Sequence, residues 1–139
     1  MTLSSVRRCL TLLVILISKS NTIGDVAELL LLTELVSRGL SVSLPFGHAN
    51  YYDVVVEHGK TGKLLKVQVK TSNVKHNRNS YKFNDCSKYV GKVDLMAFLV
   101  EGSWYFWSSL KLKRYGTTSY VLLKMKYNKP DNWKVFGCE

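Results

Sequence analysis

Cysteine is scarce in this chain: Cys9, Cys86 and Cys138 are odd in number, far apart and without a C-x-x-C pair. Such a set excludes a disulfide framework and a thiolate zinc site, and it fits a reducing, cytoplasmic setting. Histidine is equally scarce. His48, His58 and His76 make no H-E-x-x-H and no close pair, so each reads as a surface or loop residue. There is no internal repeat, no low-complexity tract and no Walker-type glycine loop, which sets aside repeat architectures and phosphate-loop enzymes. Acidic side chains are the other shortage. Ten Asp and Glu stand against twenty Lys and Arg, a formal net charge of +10. That excess suits a polyanionic partner, nucleic acid before an acidic membrane.

Long apolar runs are missing too. Residues 9–17, CLTLLVILI, follow a basic start but are too short to span a bilayer, and no membrane partner is expected. Charge followed by a short apolar stretch is also the pattern of a signal-peptide core. Ser18-Lys19-Ser20 makes a poor cleavage site, so an N-terminal helix or strand packed on the domain is favoured. The length of 139 residues fits one domain over 1–139, with 1–20 an extension of uncertain role.

The stretch that organises the rest is 51–72, YYDVVVEHGKTGKLLKVQVKTS. It reads as two strands joined by Gly59-Lys60-Thr61-Gly62. With Gly59 facing Gly62, paired residues sum to a constant and Asp53 lands opposite Gln68. Side chains alternate along a strand. One face then holds Val54, Val56, Leu65, Val67 and Val69 against the core. The other holds Asp53, Gln68 and Lys70, away from it. A slip of one residue would scatter that trio.

Residues 22–38 predict a helix. Asn21 or Thr22 caps it, Asp25 sits in its first turn, and Gly39 ends it at the C′ position. Its body, VAELLLLTELV, is apolar nearly all round and predicts burial on several sides. Glu34 has Arg38 at i+4. Glu28 stands in the apolar body, where a carboxylate costs several kcal/mol (roughly) unless paired or bound to a cation. Residues 40–46 alternate as a strand. Residues 73–82, NVKHNRNSYK, lack periodicity and predict a loop. A short helix is expected at 85–90, a central strand at 93–100, a hairpin partner at WYFWSS, and another strand at 120–125. Pro130, Asp131 and Asn132 mark a turn before a short piece carrying Trp133. The order gives an α/β (α+β) domain with a central mixed β-sheet flanked by helices.

Glu28 on a helix, Asp53 at the head of a strand and Gln68-x-Lys70 on the next strand resemble the PD-(D/E)XK nuclease superfamily. The matching segments are Gly24-Asp25-x-Ala27-Glu28, Pro45-Phe46 … Tyr52-Asp53, Val67-Gln68-Val69-Lys70-Thr71-Ser72 and Tyr89-x-Gly91-x-x-Asp94. The likeness runs over about 23–100. The Q-x-K form is similar to the group I intron-encoded homing endonucleases. Archaeal Holliday junction resolvases share the helix glutamate but normally carry E-x-K.

The resemblance implies a restriction-endonuclease-like core and a Mg²⁺-dependent DNA endonuclease, with Mn²⁺ able to substitute. Asp53 would be the principal ligand. Gln68 would offer an amide oxygen, Val69 its backbone carbonyl, and Glu28 would complete the shell. Lys70 would position or deprotonate the attacking water, or neutralise the phosphate. A glutamine in place of the usual carboxylate lowers the site's negative charge, so one metal is expected. Lys75 and Arg78, and Lys111, Lys113 and Arg114, are placed to track phosphates of double-stranded DNA. Two-strand cleavage by so small a chain implies a homodimer or larger assembly. Two alternatives stand beside this reading: a junction resolvase, and a non-catalytic nucleic-acid-binding protein with a nuclease-like fold. If Asp53 and Lys70 instead make a cross-strand ion pair, it is worth less than about 1 kcal/mol.

Overall fold

The structure, a computed structural model, describes residues 2–5, 8, 20–47, 50–72, 75–115 and 120–139. The apolar run 9–17 lies outside the described residues, as do His48 and the side chain of Asn21. The elements that position the site begin with α1 (Ser20–Ser37), β1 (Val42–Ser43), β2 (Val54–Glu57) and β3 (Leu64–Thr71). They continue with β4 (Lys75–Asn77), β5 (Ser80–Asn84), β6 (Leu95–Val100), β7 (Ser103–Ser108), α2 (Ser109–Tyr115) and β8 (Tyr120–Lys124).

Five strands form the main sheet in the order β1-β2-β3-β6-β7. The β3–β6 pair is parallel and the other neighbours are antiparallel, so the sheet is mixed as expected. The β2–β3 hairpin pairs Val54 with Val67, Val55 with Lys66, Val56 with Leu65 and Glu57 with Leu64. These pairs share the sum that a turn closed between Gly59 and Gly62 requires. The turn is tied by the His58 carbonyl, which accepts from Gly62 N–H at 2.9 Å. His58 Nδ1 also accepts from Thr61 N–H at 3.2 Å, which gives this histidine a turn-holding role.

One sheet face packs Val54, Val56, Val67, Val69, Ala97, Leu99 and Trp104 under α1 and the C-terminal turn with Trp133 and Phe136. Gly39 ends α1 at φ +80°. Gly39 N–H bonds Val36 O and Leu40 N–H bonds Leu35 O, the paired closure of a Schellman end. Arg38 reaches Glu34 at 3.2 Å and lies 4.2 Å from the Trp133 ring.

Several expectations are corrected. The helix is already formed at Ser20, so Asp25 lies beyond its first turn. It buries one side only: Leu30, Leu31 and Leu35 face the sheet, while Leu29 and Val36 are exposed. Among the described residues a single layer lies against it, so apolar composition all round does not mean burial all round. The strand expected over 40–46 shrinks to Val42–Ser43, and the helix at 85–90 to a 3₁₀ turn over Ser87–Tyr89.

The largest correction concerns 73–82, expected as a loop. It supplies β4 and β5, which join β8 in a second, antiparallel sheet. Tyr81 and Phe83 are its inward residues and are buried. They meet Val121 and Leu123 of β8 by register, and together cover Met96, Phe98 and Trp107 of the main sheet. Only two apolar positions were needed in a polar stretch, too few to show a strand period. α2 at Ser109–Tyr115 was likewise not foreseen.

Candidate active site

The face of β3 that carries Gln68 and Lys70 therefore does not look onto open solvent. Gln68 is buried, and Lys70 is half-buried at the rim of the second core. β2 delivers Asp53 to the same place. The regular ladder reaches Val54–Val67, and one residue further it changes character. Asp53 N–H donates to Val67 O at 2.9 Å. Asp53 Oδ2 accepts the Val69 N–H at 2.8 Å. The carboxylate thus takes a ladder position that a backbone carbonyl would fill in a continued strand. The backbone and side-chain bonds of Asp53 straddle Gln68. The Val69 carbonyl points to the same gap, since the N–H and C=O of one strand residue share an edge. There it accepts Gln68 Nε2 at 3.2 Å.

Burial pushes the Asp53 carboxyl up from its ordinary range, while the Val69 N–H and Lys70 act downward. Glu28, on the flank of α1, is raised from 4.5 to about 7, first by burial, then by the Asp53 and Asp25 charges. Two carboxylates held in each other's field are a costly arrangement unless a cation joins them. Among the described residues, no three His, Cys, Asp or Glu side chains converge. The hard oxygen donors here are two carboxylates, one amide and one backbone carbonyl. That set suits an oxygen-seeking divalent ion such as Mg²⁺ rather than a softer metal.

Lys70 Nζ lies 5.1 Å from the Tyr89 ring centroid. Tyr89 is buried, and its hydroxyl is raised by that burial against the lowering effect of Lys88. Burial likewise pushes the neighbouring Cys86 thiol to about 11, so this cysteine is inert. Around the site, cations and tyrosines pair repeatedly. Lys92 sits 3.8 Å from the Tyr51 ring, Lys66 5.6 Å from Tyr52 and Lys88 5.2 Å from Tyr89. These residues were not singled out from the sequence as DNA contacts. The visible signal was Tyr51-Tyr52 directly before Asp53, and Lys88-Tyr89-x-Gly91-Lys92. Asp94 has a structural place: its Oδ2 accepts Lys66 N–H at 2.8 Å and registers β6 on β3.

The basic residues expected to track phosphates sit on β4, the β4–β5 turn and α2. Lys75 on β4 is 3.8 Å from Glu101, which also accepts the Tyr81 hydroxyl at 2.6 Å. Arg78 stands on the β4–β5 turn. Lys111 Nζ donates to Asn128 Oδ1 at 2.9 Å and lies 4.2 Å from the Trp107 ring. Lys113 and Arg114 belong to α2, and their side chains lie outside what is described. Arg78 and Lys111 line two hollows that share Lys124 and Tyr127; neither hollow includes Glu28, Asp53, Gln68 or Lys70.

No curated protein matches the chain. Among solved structures it is similar to a bacterial homing endonuclease, I-Ssp6803I, with TM-score 0.65 and 22% identity over 86% of this chain and 87% of that one. It is also similar to Hjc, a Holliday junction resolvase from the archaeon Archaeoglobus fulgidus, with TM-score 0.59 and 18% identity over 84% of this chain and 97% of that one. At such identities the likeness shows a shared restriction-endonuclease-like fold. The description of the PD-(D/E)XK endonuclease family matches residues 18–96, more than half the chain and the whole span from α1 through β3 to the start of β6. The chain belongs to the PD-(D/E)XK endonuclease family.

Proposed function

We propose that this protein is a Mg²⁺-dependent endonuclease of double-stranded DNA, of the homing-endonuclease kind, acting as a homodimer or larger assembly inside the cell. The observation that carries the reading is the break in the β2–β3 ladder. It gathers Asp53, the Val69 carbonyl and Gln68, with Glu28 raised to about 7 beside Asp53. Asp53, Glu28, Gln68 and Val69 would hold the cation, with Mn²⁺ as a substitute. When bound, the ion supplies Lewis-acid relief for phosphate charge and a more acidic water. Gln68 contributes by turning its amide so that Oε1 rather than Nε2 faces the gap; the two ends of an amide exchange by rotation. Lys70, beside the Tyr89 ring, neutralises charge on the phosphate and orients the attacking water. The fold likeness to a homing endonuclease and the net charge of +10 support DNA as the substrate. No described helix is long and apolar enough to cross a membrane.

The test is nicking of supercoiled plasmid with Mg²⁺ against EDTA, for the parent, Asp53→Ala and Lys70→Ala. Expected are cleavage with Mg²⁺ alone and a loss of roughly 10² or more in rate in either variant, with DNA binding kept within a few-fold. Parent-like cleavage by either variant would refute the site assignment. Binding without metal-dependent cleavage would favour a non-catalytic nucleic-acid-binding protein. The likeness to a junction resolvase makes four-way junctions the second substrate to assay, and preference for them over linear duplex would favour a resolvase.

A further inference from the structure

The two hollows away from Asp53 have complementary chemistry. The first, of about 550 Å³, lies between β8, α2 and the Met125–Tyr127 turn. Its walls are Trp107, Tyr120, Leu122 and Tyr127, with Lys111 and Lys124 beside them. The volume falls in the ordinary range for a small-molecule site, roughly 300–1,000 Å³. Asn128 holds it in shape. Its Oδ1 accepts both Trp107 Nε1 and Lys111 Nζ at 2.9 Å, and its Nδ2 donates to the Lys124 carbonyl at 2.8 Å. The second hollow, about 480 Å³, is lined by the cations Arg78, Lys124 and Lys126 and the amides Asn77 and Asn79. Tyr127 and Lys124 line both. Neither is lined by a described carboxylate. Tyr127 is 73% exposed and stands at the boundary. The floor is tied to the candidate active site through the sheet: Gln68 pairs with Met96, and Met96 with Trp107, two strand spacings or roughly 10 Å apart.

An aromatic basin beside a cationic one matches a single nucleotide, with its flat base and its phosphate. Bases stacked in a duplex hide their faces, so only an unstacked base can lie against an aromatic side chain. We propose that this pair of hollows binds an unpaired nucleotide of a DNA strand, with the base against Tyr127 and Tyr120 and the phosphate beside Arg78 and Lys126. The proposal rests on DNA as the partner and adds a second site that reads unpaired strand.

The probe is a fluorescein-labelled blunt duplex and the same duplex carrying a three-thymidine single-stranded tail, titrated by anisotropy in EDTA. The tail should tighten parent binding roughly tenfold, the order that one aromatic–base stack supplies. Tyr127→Ala should abolish that gain and leave blunt-duplex affinity unchanged; Tyr127→Phe should retain it. Tyr127 is exposed, so the fold is spared, and melting curves of both variants verify it. A parent that binds both probes alike, or a gain that survives Tyr127→Ala, overturns the inference while leaving DNA binding standing. A parent that binds neither probe overturns the inference and the DNA reading together.

Discussion

At the scale of single residues, Glu28 and Gln68 carry the sharpest expectations. The folded state holds the Glu28 proton more tightly than the unfolded chain, with the group moved from 4.5 to about 7. Its contribution to stability is therefore fully present below pH 4.5 and is lost as pH rises towards 7. In EDTA, melting temperature should fall between pH 5 and pH 8 in the parent and fall less in Glu28→Gln; equal slopes would show that Glu28 is not the group responsible. Gln68 is the other. It is buried and bonds the Val69 carbonyl. In Gln68→Glu a carboxylate replaces the amide at the gap beside Asp53. Calorimetry should find Mg²⁺ bound more tightly by this variant than by the parent. Unchanged or weaker affinity would place Gln68 outside the metal shell. Sequence alone placed Gln68 on Asp53's side of the hairpin, because strand alternation is a local rule. It did not reveal that Gln68 is buried, because the residues that cover it come from elsewhere in the chain.

At the scale of elements, the β2–β3 hairpin was legible from its alternation and turn, and its register followed. The two faces of β3 separate stability from chemistry. Val67 is fully buried under α1, on the face opposite Gln68. Val67→Ala should cost about 1–3 kcal/mol by removing buried methyl groups and leaving a cavity. Cleavage per folded molecule should stay near the parent's. Urea unfolding run alongside a cleavage assay would check this, and a selective catalytic loss at normal stability would count against the division of faces. The second sheet was not legible. β4 and β5 are polar and basic, and Tyr81 and Phe83 alone carry their inward side. β5 takes its strand character from pairing with β8, some forty residues later in the chain, and β4 pairs in turn with β5; a local reading does not see the β5–β8 pairing.

At the scale of the molecule, the charge of +10 is spread over several surfaces. Lys66, Lys88 and Lys92 pair with Tyr52, Tyr89 and Tyr51, while Arg78, Lys124 and Lys126 form a separate group, lining a hollow that does not include Asp53. If DNA engages roughly five or more phosphates, affinity should drop by orders of magnitude between low and moderate salt. A filter-binding titration in EDTA measures the slope, and a flat response would remove DNA as the partner.

The α1 end at Gly39, the β2–β3 register, the Glu34–Arg38 pair and the family are all readable from the chain, because each depends on short-range spacing or on a motif. Helix ends follow backbone conformation, and a hairpin's register follows its turn. Long-range packing, by contrast, makes Asp53 leave the ladder to take the Val69 N–H, buries Gln68 and sets Lys70 beside Tyr89. It also decided that Arg78 and Lys111 gather around Tyr127 and not around Asp53. Those outcomes depend on which distant segments cover each sheet face, and the energy that selects them belongs to pairings and packing between residues far apart in the chain.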